Sequence, residues 1–482
     1  MTDRRYLTFG WDCARFSTYP REGRSMSAND ITNKKNIFHP NLGPVQKIMR
    51  MFTVVYRGEG ITLFLLTLNI FLVLTAYSII KPVREALILA GKGAEWKSYL
   101  AGAQAILMIF VVKGFSSLAS KVPRQKLISW VTLFFISNLG GFYILSMMNV
   151  SLGTMGILFY VWMGIFNMMV IAQFWAFAND LYSHETGKRL FPIVMFGSNL
   201  GAFFGAKLAG WLVRPIGLYQ MMLVSGVILG ICIVLTLIVH RREAADDTSP
   251  SEGAQKKIAN QPLAKGGGFQ LVFRSRYLLY IAFLIMLLNL VNTTGEYILG
   301  KVFTNAASAV IQAGTAGGMD MGQLIGKLYA DFHSIVNIMA MAIQLFLVSR
   351  IFKWVGVRGA LFILPLIAFG GNLLVGFGAA LAVVQWSKTL ENSTDYSLMN
   401  TVRHALFLVT SREVKYKAKA AIDTFFVRAG DVFSALLVFI GTTYLAFDVE
   451  RFAVFNVAVA LIWLLLCAMI IREHKKLEAG KT

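Results

Sequence analysis

Long apolar runs, each broken by a short polar turn, recur along the 482-residue chain. A membrane-crossing helix takes about 20 mostly apolar residues. Runs of that kind begin at Ile61, Tyr99, Leu127, Leu152, Leu190, Tyr219, Tyr277, Leu328, Trp354, Ala379, Ala420 and Phe452. The pattern predicts twelve transmembrane helices, with Gln312–Met321 as a loop between spans seven and eight. The run from Ala379 carries several charges and is the weakest. Because the runs are continuous and do not alternate, they argue against a β-barrel.

Between Arg241 and Gly268 the chain turns to Ser, Gly, Lys, Asp and Glu, which is linker chemistry. The stretches around it resemble each other faintly. Lys188-Arg-Leu-Phe-Pro opens span five and Lys419-Ala-Ala-Ile-Asp opens span eleven, followed by Gly197, Gly201 and Gly205 in one and Gly430 in the other. The expectation is an all-α integral membrane protein of two six-helix pseudo-repeats, the major-facilitator-like pattern. Its parts are a cytoplasmic tail over 1–58, bundles over 59–240 and 273–472, a cytoplasmic linker over 241–272, and a cytoplasmic tail over 473–482. Gln46–Arg57 mixes basic and apolar residues, as an interfacial helix or as plain coil. No signal or transit peptide is predicted, and Met26 and Met49 stand beside Met1 as candidate starts.

Composition agrees: 56% of residues are hydrophobic, 15% are charged and mean hydropathy is +0.61. Ordinary soluble domains are roughly 45–50% apolar and about 25% charged. The net charge of +21 would suggest nucleic acid in a soluble protein. Here the basic groups fall in the tail, the linker and alternate loops, including Lys121/Arg124/Lys126, Lys188/Arg189, Arg350/Lys353/Arg358 and Arg472/Lys475/Lys476. That bias predicts both termini on the cytoplasmic side, with the bilayer and not nucleic acid as the surrounding partner. Opposite loops hold scattered cations such as Lys92, Lys97, Arg214, Lys301 and Arg451. Cys13, Cys232 and Cys467 lie far apart, so neither a disulfide framework nor a metal cluster is expected, and no cofactor is implied.

An ionisable residue at the bilayer centre costs about 2.5–3.5 kcal/mol, so such residues face a cavity or a partner. Span one carries Lys81, Arg84 and Glu85 inside apolar sequence that continues through Ala86–Ala90. Lys81 and Glu85 can pair on one helical face, and Pro82 can break the helix locally. The reading is a cationic site facing a central cavity, against a solvated cluster at a helix end. In span ten, Gln385, Lys388, Glu391, Asn392 and Asp395 recur near the spacing of one face, with Arg403 beyond. Left unpaired, Lys388, Glu391 and Asp395 would cost on the order of 8–10 kcal/mol. The stripe is either an internal salt-bridge ladder or part of a transport path with partners from span one. Lys113 and Lys207 can snorkel to a surface. Glu296, on one face with Asn289 and Asn292, has no such reach and reads as a site or proton-coupling group, or as a packing hydrogen bond. Asn179, Asp180, Lys188 and Arg189 form a mixed-charge turn that is either a gating hinge or a passive surface loop.

At these residues the chain resembles the ATP/ADP translocase family, the nucleotide transporters of plastids and intracellular bacteria. The similar segments are Lys81, Arg84 and Glu85; Phe174–Asn179 with Gly187–Phe191; Glu296 near the end of an Asn-rich stretch; and Lys417-Ala-Lys-Ala-Ala-Ile-Asp423. The resemblance implies a major-facilitator-like exchanger of ATP and ADP, with Lys81, Arg84, Glu296 and Lys419 on the substrate path. Pro82 stands where such exchangers commonly carry an acid. The stretch Phe407–Tyr416 also departs from the family's form.

The expected function is secondary transport of a small anionic metabolite, a nucleotide first among them, by alternating access and without catalysis. Lys81, Arg84, Glu85, Glu296, Lys388, Glu391, Asp395, Arg403, Lys419 and Arg428 are the candidate substrate-binding set. Another substrate, or a lipid-handling or partner-binding membrane component, is the alternative. Oligomeric state is left open, a monomer included.

Overall fold

The computed structural model describes residues 59–121, 124–148, 150–182, 184–245, 268–407, 409–411, 414 and 418–479, which form helices and no strand. The expected interfacial segment Gln46–Arg57 and most of the linker lie outside them. In chain order the helices are α1 Glu59–Gly91, α2 Ala94–Lys121, α3 Arg124–Met147, α4 Leu152–Leu181, α5 His184–Ile216 and α6 Leu218–Ala245. Then come α7 Gly268–Arg274, α8 Arg276–Gln312, α9 Met321–Ala342, α10 Val348–Ala360, α11 Ile363–Phe377, α12 Leu381–Thr394 and α13 Asn400–Leu406. The last are α14 Lys419–Ala421, α15 Val427–Thr443 and α16 Val449–Ala479. Turns of π-helix join α9 to α10, α12 to α13 and α14 to α15.

Among the described residues nine helices are long and apolar enough to cross a bilayer, so this is a multi-pass membrane protein. The expected span at Leu328 opens earlier, at Met321. There Asp320 Oδ1 accepts the Gln323 backbone N–H at 2.8 Å and Gln323 Oε1 accepts that of Asp320 at 3.0 Å. This reciprocal cap satisfies two N–H groups that have no partner within the helix. The expected span at Trp354 is interrupted. Gly356 takes φ 66°, a left-handed conformation that glycine adopts without strain, and the next apolar helix starts at Ile363. α1 runs unbroken through Pro82, contrary to the expected local break. Proline removes one ladder hydrogen bond, a loss that a packed intramembrane helix absorbs.

Helices approach one another where side chains are absent. A Cβ on Gly197 of α5 would lie 2.5 Å from Thr67 Cγ2 of α1, and one on Gly201 would overlap the Phe71 carbonyl. On α15, a Cβ on Gly430 would lie 2.6 Å from the Met286 carbonyl of α8. Such small-residue contacts bring membrane helices into close van der Waals packing. One buried core joins Ile88, Leu89 and Tyr160 to Leu299, Phe303, Tyr329 and Phe452, drawing on both halves of the chain. A second core, around Tyr277, Leu364, Leu406 and Trp463, draws on the C-terminal half only.

Candidate functional site

Helices α1, α2, α4, α8, α9 and α15, with the turn after α12, line a cavity of about 270 Å³. The charged members of its wall are Lys81, Arg84, Glu85, Lys97, Glu296, Arg428 and Asp431. Helix α1 delivers the first three because Lys81, Arg84 and Glu85 recur at one-turn spacing, and the apolar residues around them pack against neighbours at essentially no exposure.

Lys97 is the hub. Its ammonium lies 2.8 Å from Glu85 Oε2 and 3.2 Å from Glu296 Oε2, and donates to the Tyr329 hydroxyl at 3.3 Å. It is 5% exposed and Glu85 is 1% exposed, so the network is cut off from bulk water, where unpaired charges are costly. Arg84 pairs with the remaining oxygen of Glu85 and lays its guanidinium 4.8 Å from the centre of the Tyr160 ring. The expected Lys81–Glu85 pair does not form. Glu85 is taken by Arg84 and Lys97, and Lys81 makes no ion pair with a described residue, leaving its ammonium on the cavity wall.

On the opposite wall, Glu296 Oε1 accepts from Asn392 Nδ2 at 3.1 Å. Asp431 Oδ2 accepts from Arg428 at 3.1 Å, while its Oδ1 accepts from Asn289 at 2.6 Å and Thr293 at 2.9 Å. His333 is buried beside Tyr329, and its Nε2 has no hydrogen-bond partner among the described residues.

The span-ten stripe divides. Lys388 and Glu391 pair at 2.8 Å, and Lys388 also donates to the carbonyl and side chain of Asn292 at 3.0 and 2.6 Å. Both are buried behind α8 and neither lines the cavity. The pair is the internal ladder that the spacing allowed, and the further partner of Lys388 comes from α8. Asp395 opens a π-helical turn, which inserts a residue and rotates the face. It points to a small void with Leu288, Leu364, Glu391 and Trp463, and its neighbour Tyr396 reaches the cavity. Arg403 pairs with Asp423 at 3.0 Å, and Lys419 pairs with the same carboxylate, so these two basic residues form a separate cluster.

Of the mixed-charge turn, Asn179 is exposed at the end of α4 and Arg189 is half-buried in α5; the side chains of Asp180 and Lys188 lie outside the described residues, as does that of Lys113. Lys207 places its ammonium 5.9 Å from the centre of the exposed Trp211 ring. Among the described residues no group of His, Cys, Asp and Glu could hold a metal ion.

Two charged members of the wall escaped the sequence reading. Lys97 was expected in a loop, because the second apolar run begins at Tyr99. Helix α2 starts at Ala94, which puts Lys97 inside the bundle. Asp431 carried the same signal as Glu296, a short carboxylate within an apolar run.

Comparison with known proteins adds the following. The model of the TLC ATP/ADP transporter family matches residues 146–476. ADP,ATP carrier protein 1 of Chlamydia muridarum is 26% identical over 303 residues, 55% of this chain and 54% of that protein. The protein of the same name from Chlamydia pneumoniae is 22% identical over 309 residues, 56% of this chain and 57% of its own length. The chain thus spans about half the length of the curated relatives it matches. Among solved structures, the nucleoside transporter NupG superposes with a TM-score of 0.59 at 11% identity, covering 85% of this chain and 98% of that one. An autoinhibited POT family peptide transporter gives 0.61 at 11% identity over 84% and 96%. At such identities the likeness shows the fold alone, an all-helical membrane architecture shared with these two proteins.

Proposed function

The chain belongs to the TLC ATP/ADP transporter family, and on that footing we propose that it is a secondary transporter exchanging a nucleotide or kindred phosphorylated metabolite by alternating access. The observation that carries this reading is the cavity itself: a space walled by both halves of the chain, with Lys81 on its wall held by no acid among the described residues and Arg84 beside it. An ammonium is a point charge for a phosphate oxygen, and a guanidinium is a planar fork for two of them. The rings of Tyr77, Tyr160 and Tyr396 line the same space and offer flat apolar faces for a base.

In this reading α11 and the α12–α13 rod are spans nine and ten, completing twelve spans in two six-helix halves. Gly201 against α1 and Gly430 against α8 occupy corresponding contacts and support that symmetry. Both termini lie on the cytoplasmic side of a bacterial inner membrane, in keeping with the basic loops. The core shared by both halves then closes the cavity on the far side. The Lys97–Glu296 pair, which joins α2 to α8, is broken and remade as the halves rock.

Counterflow tests the reading. Proteoliposomes loaded with an adenine nucleotide are expected to take up labelled external nucleotide, and Lys81→Gln to slow this. If no nucleotide exchanges with any other, the substrate is wrong while the architecture stands.

A further inference from the structure

The charges lining the cavity almost cancel. Among the described residues its wall carries the cations Lys81, Arg84, Lys97 and Arg428 and the acids Glu85, Glu296 and Asp431. Each acid is already held: Glu85 by Arg84 and Lys97, Glu296 by Lys97, and Asp431 by Arg428. His333 makes no ion pair with a described residue and counts as neutral. The Lys388–Glu391 pair behind the wall adds nothing. The surplus is a single positive charge, and it sits on Lys81.

A phosphomonoester carries about −1.5 to −2 at neutral pH, and every further phosphoryl group adds negative charge. To match a triphosphate the wall would have to release Arg84 from Glu85 and Arg428 from Asp431. Those carboxylates are 1% and 8% exposed, so releasing the cations would leave Asp431 without its ion pair and Lys97 as the one cation shared by Glu85 and Glu296, an excess of buried negative charge. The space is also small, below the roughly 300–1,000 Å³ of sites that enclose drug-sized ligands.

Resting on the nucleotide reading above, we infer that the cavity selects a singly phosphorylated substrate, the nucleoside monophosphate over its di- and triphosphate, with Lys81 as the charge that meets the phosphate. Calorimetric titration of the full-length protein in nanodiscs, without divalent cations, compares AMP, ADP, ATP and adenosine. AMP is expected to bind at least about tenfold more tightly than each of the others, a difference of about 1.4 kcal/mol. ADP or ATP binding as well as AMP overturns the inference and leaves the nucleotide reading standing. Adenosine binding as well as AMP overturns it too, since phosphate charge would then contribute nothing. If none of the four binds, the nucleotide reading itself falls and takes the inference with it.

Substitution gives a second arm. Asp431→Asn removes an acid from the wall, and the gap between AMP and ADP is expected to narrow; an unchanged gap counts against the charge balance. Should that variant not fold, Lys81→Gln serves, because its side chain holds no acid. AMP is then expected to fall to the affinity of adenosine, and a preserved preference for AMP refutes the assignment.

Discussion

Lys97 Nζ stands 3.2 Å from Glu296 Oε2 although 199 residues separate them along the chain. The same ammonium is 2.8 Å from Glu85, so one lysine of α2 ties α1 to α8 across the cavity. Two carboxylates facing one buried space would repel each other without it, and the bridge lets both stay charged away from bulk water.

Removing that lysine leaves its partners exposed to each other. Lys97→Met is expected to lower the thermal unfolding midpoint in detergent. Breaking a buried pair costs about 3–5 kcal/mol, less here because Glu296 is 22% exposed to the cavity. Adding Glu296→Gln to the same protein should recover part of the loss. A double mutant as unstable as the sum of the singles would show that the two residues do not interact.

Lys388 and Glu391 give a contrasting case, since both are buried and off the cavity wall. Lys388→Met or Glu391→Leu alone is expected to destabilise by about 3–5 kcal/mol, and the two together by much less, because no charge is then orphaned. Nucleotide affinity of the double variant should stay near that of the parent. A large fall in affinity with normal stability would return the pair to the transport path.

Glycine contacts can be ranked by what a methyl group would meet. Gly201→Ala, pressing on the Phe71 carbonyl, is expected to cost about 1–3 kcal/mol, the usual range for overpacking. Gly230→Ala on α6 meets nothing within 4 Å and should be neutral or slightly stabilising. Thermal unfolding of the two variants side by side decides; equal midpoints would refute the close α1–α5 approach.

At the junction of α2 and α15, a Cβ on Gly102 would stand 2.8 Å from that of Ala435. Disulfides want about 3.8 Å between Cβ atoms, within reach of a small shift. The pair Gly102→Cys and Ala435→Cys is expected to crosslink under mild oxidation, seen as a joined peptide by mass spectrometry, and to stop exchange until reduced. Unimpeded exchange in fully crosslinked protein would mean that this contact need not open during transport.

The apolar runs foretold most of the helices, and Gly197, Gly201, Gly205 and Gly430 could be singled out before their contacts were known. Glu296 was legible because a short carboxylate inside an apolar stretch has few affordable places to go. Lys97 was hidden by its neighbours: a cation just after a Gly-Ala-Glu turn reads as solvated until the helix is seen to begin at Ala94. Span ten misled in another way. Its charges do share one face up to Glu391 and Asn392, but the π-helical turn at Asp395 changes the register, and no pattern of period 3.6 announces such a turn.

The division follows from the range of the forces involved. Whether a segment enters a bilayer depends on a sum over some twenty consecutive residues, a quantity local to the chain, so helices and their loops can be read in order from the letters. Which cations are spent on acids and which remain for a substrate depends on separations of a few ångströms between groups far apart in sequence, in a medium where Coulomb energy rises steeply with approach. Lys81, Arg84 and Lys97 carry the same formal charge. Only the packing of α1 against α2 and α8 hands Glu85 and Glu296 to the latter two and leaves Lys81 on the cavity wall.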